Sequence, residues 1–183
     1  PIANTGLGLF GIGGAFGISA RPSLPPPGDD PVLYQLSWDH KASGAFALDP
    51  DNFTYGFEAV IGTAPDIGFS FSAKGGVFLT VPDIVIRGAL DGHMMSPRPM
   101  LSDRPEQAPP GLSYRGVIVV DGKDGVTFGL RGLLNLRPIV EVEVPVGARF
   151  PFDHPSEWYI YIGTDGYNDG KGRALGPVRA TIL

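Results

Sequence analysis

"GLGLFGIGGAFG", Gly6–Gly17, admits three readings, and the choice among them decides the fold. Gly6, Gly8 and Gly11 spell GxGxxG, the spacing of a dinucleotide-binding turn; the run is apolar enough to suggest a membrane-seeking segment; and its bulk alternates as in a strand. A dinucleotide turn works because a strand precedes it and a helix follows, with the helix amino end facing the pyrophosphate. Here the glycines begin near the first residue and run into "RPSLPPP", Arg21–Pro27, where no helix can form. Asp29 and Asp30 fall about twenty residues on, where a ribose-binding acid belongs, but within proline-rich sequence. The apolar stretch, Gly6–Ala20, falls short of the ~17–25 residues that span a bilayer as a helix.

The strand reading accounts for the pattern. Phe10, Ile12, Phe16 and Ile18 share one face, and Gly11, Gly13, Ala15 and Gly17 share the other. Leu7 and Leu9 have the opposite parity, so a bulge is expected between Leu9 and Phe10. The bare face would let another layer of backbone or an aromatic ring approach closely. The bulky one is expected to be buried.

Period-two alternation recurs along the chain. Phe69 and Phe71 alternate with Ser70 and Ser72; Val126, Phe128 and Leu130 with Thr127, Gly129 and Arg131; Val140, Val142, Val144 and Val146 with Glu141 and Glu143; Trp158, Ile160 and Ile162 with Tyr159 and Tyr161. These are strands with one face expected in the core. "DGKDG", Asp121–Gly125, reads as a hairpin turn, and "AKGG", Ala73–Gly76, reads as another. No window of ten or more residues keeps a helical period without a Gly or Pro. The expected fold is all-β: about ten mostly antiparallel strands in a sandwich or an open or closed barrel, with little helix. Residues 1–183 form a single module. Two proline-rich stretches, Arg21–Pro31 and Met94–Gly111, should be extended surface connections, the second long enough to be a functional loop.

Composition narrows the function classes. There is no cysteine, which excludes disulfides, thiolate metal sites and thiol nucleophiles. A net charge of -5 with scattered basic residues gives no footprint for nucleic acid. Charged residues make up 18%, below the roughly 25% of ordinary soluble domains, so something else is expected to cover part of this surface. The absence of an initiating Met and the ending "PVRATIL", which reads as an interrupted strand, lead to the expectation of a segment of a longer polypeptide.

The most site-like feature is "FPFDHPSEWYIYIGTDGYNDGKG", in which Asp153, Glu157, Asp165, Asn168 and Asp169 stand close to aromatic residues that include Trp158. Two of these carboxylates facing across a cleft would suit glycoside hydrolysis. "DGYNDG" also resembles part of a calcium loop, with oxygen ligands at Asp165 and Asp169, but Tyr167 occupies the third place and Gly176 the twelfth, where a bidentate Glu belongs. The same residues make ordinary Asx turns. Each histidine lies beside an acid: Asp39 with His40, Asp91 with His93, Asp153 with His154. Adjacent strand residues face opposite ways, and no HxH or HxxxH spacing occurs, so exposed loop histidines are the expectation rather than a metal set. No GxSxG, GK[ST] or HExxH is present.

"AVIGTAPDIGFSFSAKGGVFLTVPDIVIRG", Ala59–Gly88, and "FPFDHPSEWYIYIGTDG", Phe150–Gly166, resemble a family of very long β-rich bacterial proteins known only as a domain of unknown function. "FGIGGAFG" and "DDPVLYQLSW" resemble it too, so the likeness spans most of the chain. It implies an internal module of a larger protein and supplies no catalytic residue or cofactor. The expected role is therefore a non-catalytic structural or binding module, with neighbouring modules, self-association through strand edges, or an apolar groove for acyl chains as its contacts. A carbohydrate-active hydrolase is the alternative.

Overall fold

The computed structural model describes residues 2, 4–103, 111–136, 139–163 and 179–182. Their fold is an antiparallel meander of nine strands: β1 (Leu7–Pro22), β2 (Phe46–Thr63), β3 (Phe71–Val81), β4 (Val85–Met94), β5 (Gly111–Asp121), β6 (Gly125–Leu136), β7 (Val140–Pro151), β8 (Tyr159–Ile162) and β9 (Arg179–Ile182). Each of β1 to β7 pairs with the next in sequence, and β9 pairs with β7 beyond β8. The sheet is open: among the described residues no strand joins β1 to β8. The register of β1 against β2 shifts between Leu9 and Gly11, the bulge expected from the slip in alternation.

The sheet also curls. Arg21, at the end of β1, reaches Asp121 at the end of β5, with Nη2 3.5 Å from Oδ2. Four strand spacings on a flat sheet would separate them by about 19 Å, so the sheet bends into a trough whose inner side carries this pair. A seven-residue helix, α1 (Pro31–Ser37), lies in the trough against β5, β6 and β7. Asp30 caps it, Oδ1 accepting from Val32 N at 2.7 Å and Leu33 N at 3.2 Å, and Pro31 takes the first turn, where its missing N–H costs nothing.

Val32 and Leu36 of α1 pack against Val85, Val117, Val119 and Tyr161. Gly129 is their seat. A Cβ there would stand 2.9 Å from Leu36 Cγ, 3.0 Å from Val117 Cγ1 and 3.1 Å from Val32 Cγ1. A second cluster joins Trp38, Ala45 and Phe78, with Tyr34 and Phe46 against it. The bare face of β1 receives Leu101 from the β4–β5 connection, whose Cδ1 would lie 3.1 Å from a Cβ on Gly11.

Three expectations are corrected. Ala73–Gly76 is not a turn but the interior of β3, and the reversal comes at Pro82–Ile84; Gly75 and Gly76 thin the two faces of the strand rather than reversing the chain. The proline-rich stretch Arg21–Pro31 ends in a helix cap, a short signal hidden by its prolines. Finally, the bulky face of the strands is the exposed one. Ile12 is 63% exposed and Ile18 66%, whereas the polar residues of the opposite parity, such as Thr54, Thr80 and Thr127, are buried. The trough is filled by α1 and its flanking segments, leaving no second layer on the convex side among the described residues. Asp121–Gly125 does form the β5–β6 hairpin turn.

Candidate functional site

Parity sorts the side chains of β1 to β8 completely. Convex rows run Phe57, Val77, Gly88, Ile118, Phe128, Ala148 and Ala59, Gly75, Leu90, Gly116, Leu130, Val146 across the registered strands. Among the described side chains at paired convex positions of these strands there is no Asp, Glu, Lys, Arg or His. Soluble proteins rarely expose a contiguous apolar surface beyond a few hundred Å². At its centre Gly75, Gly88 and Gly116 remove bulk from three neighbouring strands, and a shallow groove of about 510 Å³ lies there, walled by Phe57, Val77, Leu90, Ile118 and Phe128. At the border of the same face Trp158 stacks on Phe150, with ring centroids 6.3 Å apart and planes 11° from parallel.

The charges lie inside. Arg115 Nη1 donates to Asp91 Oδ1 at 2.6 Å and Nη2 to the Trp38 carbonyl at 2.9 Å, which ties β5 to β4 and to the segment after α1. Arg87 is 1% exposed; its Nη2 donates to the Gln35 carbonyl at 2.6 Å, and its guanidinium lies 4.1 Å from the centre of the Trp38 ring. Burial and then the neighbouring Arg115 push the Arg87 pKa down to about 9, so it remains charged at pH 7. Glu58 Oε2 lies 3.3 Å from His40 Nε2 and 3.7 Å from Lys41 Nζ. Burial works to raise its carboxyl, but the bond and charge of His40, with Lys74 and Lys41, outweigh it and hold the pKa below its ordinary value. Lys74 donates to the carbonyls of Asp103 at 2.9 Å and Leu101 at 3.2 Å, fixing the β4–β5 connection over the trough. Burial and then Lys41 lower its pKa.

A cleft of about 420 Å³ opens at the β1 end of the trough. Arg21, Arg87, Arg149 and Thr127 supply polar groups, and Leu24, Val85 and Val119 supply apolar wall.

Of the residues singled out by sequence, Asp153, Glu157 and Trp158 stand exposed around the 3-10 turn at Pro155–Glu157 between β7 and β8. Asp153 and His154 approach each other to 3.7 Å, both largely in solvent. Asp165, Asn168 and Asp169 lie outside the described residues. The three histidines do not meet: His40 is in the trough, His93 Nδ1 lies 3.3 Å from the Pro97 carbonyl, and His154 is exposed. Among the described residues no three His, Asp or Glu groups could hold a metal ion, and no helix is long and apolar enough to cross a membrane.

Sequence reasoning missed the buried Arg87–Arg115–Asp91 and Glu58–His40–Lys74 groups. Their signal was there: in "VIRGALDG" and "YRGVIVVD" every charge has the parity of the small or buried residues. No protein-family model matches the chain, and comparison with curated proteins and with solved structures finds no match.

Proposed function

We propose that this chain is a non-catalytic binding module of a longer polypeptide and that it takes lipid acyl chains along its convex face. The observation that carries this is the uncharged convex surface with its furrow at Gly75, Gly88 and Gly116. A protein partner gains specificity from rim charges and hydrogen bonds, and across its registered rows this face carries no charge and few polar groups, the Tyr55 and Tyr114 hydroxyls among them. Hydrocarbon asks for neither. The furrow volume also falls within the ~300–1,000 Å³ typical of small-ligand sites. The hydrolase alternative draws no support from the described residues, where Asp153 and Glu157 stand exposed in solvent around the Pro155–Glu157 turn.

The two tryptophans make a direct test, because Trp158 borders the convex face and Trp38 is buried in the trough. Phosphatidylcholine brominated along its acyl chains should quench the emission of Trp158 and spare Trp38, so the Trp158→Phe variant should lose the quenching. Leu90→Glu, which puts a charge in the furrow, should reduce association with the lipid at least tenfold. Absence of quenching, association undiminished in Leu90→Glu, or a lipid-independent oligomer in light scattering that covers the face would overturn the proposal.

A further inference from the structure

We propose that the cleft at the β1 end of the trough is a binding site for a small molecule that carries a carboxylate or phosphate on an apolar body. The site lies on the concave side and does not rest on the reading of the convex face.

Three guanidiniums line this cleft, and two are already matched: Arg21 with Asp121 at 3.5 Å and Arg149 with Asp124 at 2.7 Å. Arg87 is not. Among the described residues no carboxylate lies within ion-pair distance of it, although it is 1% exposed and its Nε has no hydrogen-bond partner. A buried cation left with a carbonyl and an indole face is an expensive arrangement that an oxyanion in the cleft would relieve. Arg is suited to this because its planar fork presents parallel N–H groups to the two oxygens of a carboxylate or phosphate.

The pairing of charge around the cleft agrees. The other cations on its wall have acids beside them, Arg21 with Asp121 and Asp49, Lys123 with Asp83 at 2.7 Å and Arg149 with Asp124, which leaves Arg87 without a counter-charge among the described residues. Leu24, Val85 and Val119 form the apolar wall beside the guanidiniums, so an anion with no hydrocarbon attached would leave that wall in water. Pockets of this mixed kind bind by apolar burial and are oriented by a few polar groups.

Trp38 reports on the site, since the Arg87 guanidinium lies over its ring. With Trp158→Phe as background, Trp38 is the one remaining indole of the two in the chain. In maltoside micelles, which cover the convex face, cyclohexanecarboxylate and cyclohexyl phosphate are titrated in separate arms. At least one should change Trp38 emission saturably and raise the melting temperature. Cyclohexylmethanol and inorganic phosphate should each bind at least tenfold more weakly than that anion. Arg87→Met should abolish the response; if that variant does not fold, Arg149→Gln, on a more exposed wall, should weaken binding at least threefold with the fold retained. No saturable response to either anion, an equal response to the neutral alcohol or to bare phosphate, or undiminished binding in the folded variant would overturn the proposal.

Discussion

Adding one methyl group to Gly129 and one to Gly116 should have opposite consequences. The two glycines occupy neighbouring strands in adjacent rows, since Val117 pairs with Gly129 and Gly116 with Leu130. Gly129 faces the trough, where its new Cβ would meet Leu36, Val117 and Val32 at 2.9, 3.0 and 3.1 Å. All three are at most 2% exposed and held by α1 and β5, so none can swing away. Overpacking of this kind costs about 1–3 kcal/mol. Gly116 faces outward, with Leu130 Cδ1 the nearest atom at 3.9 Å, and its extended backbone suits alanine. Gly116→Ala should therefore be neutral or stabilise by roughly 0.4–1 kcal/mol by restricting the unfolded chain. Urea titrations in non-ionic detergent, followed by Trp38 fluorescence, measure both. With a slope near ~2 kcal/mol per molar, Gly129→Ala should lower the midpoint by about 0.5–1.5 M at unchanged slope. If Gly116→Ala proves the more damaging substitution, or if the two behave alike, the assignment of core to the helix side is wrong.

Two further outcomes follow from the same geometry. Asp30→Ala removes the oxygen that receives the Val32 and Leu33 amides and should destabilise the chain by about 1 kcal/mol, with faster hydrogen exchange at those two amides than elsewhere in α1. The carboxyls of Glu58 and Asp66 both titrate below their ordinary values of 4.5 and 3.8, the second chiefly because Ser70 and Thr63 hydrogen-bond to it. A folded pKa below the unfolded one gives stability that is present above the unfolded pKa and disappears as pH falls through the folded one. The urea midpoint should thus fall steadily below about pH 4.5, and Asp66→Asn should flatten part of that slope.

The strands were legible because period-two alternation needs only local sequence: the slip at Leu9 located the bulge, and Asp121–Gly125 located a hairpin. Which side of each strand is the core was not legible by the usual rule. Phe128 and Leu130 look like core residues and Thr127 and Arg131 like surface ones, yet Thr127 is buried and Phe128 is not. The local pattern is symmetric under that exchange. What breaks the symmetry is α1, seven residues whose cap and first turn are hidden among prolines, and which packs onto the face of β6 that carries Gly129. Ala73–Gly76 misled for a related reason: paired glycines mark a turn when they need positive φ, but here they make room for neighbours on both faces of β3. The charged trough assembles from β2, β3, β4, β5 and two connections, so no single window of sequence contained it.

Once the inner face is assigned, the opening glycines acquire a role that a buried β1 would not have given them. Gly11, Gly13, Ala15 and Gly17 line the inner wall of the trough, and the side chain that comes down onto Gly11 is Leu101, from a connection tethered by Lys74. A bulky residue at Gly11 would lift that connection and draw the Asp103 and Leu101 carbonyls away from a buried ammonium. Among the described residues no strand pairs with the outer edge of β1, and that edge matters, because unpaired backbone groups tolerate water but not hydrocarbon. On the proposed reading, acyl chains lie across the convex furrow while that edge stays wet; full immersion in a bilayer would require another strand to pair with β1. Because parity carries across a hydrogen-bonded register, that strand would have to place its apolar residues beside Ile12, Phe16 and Ile18 and its polar ones beside the glycines.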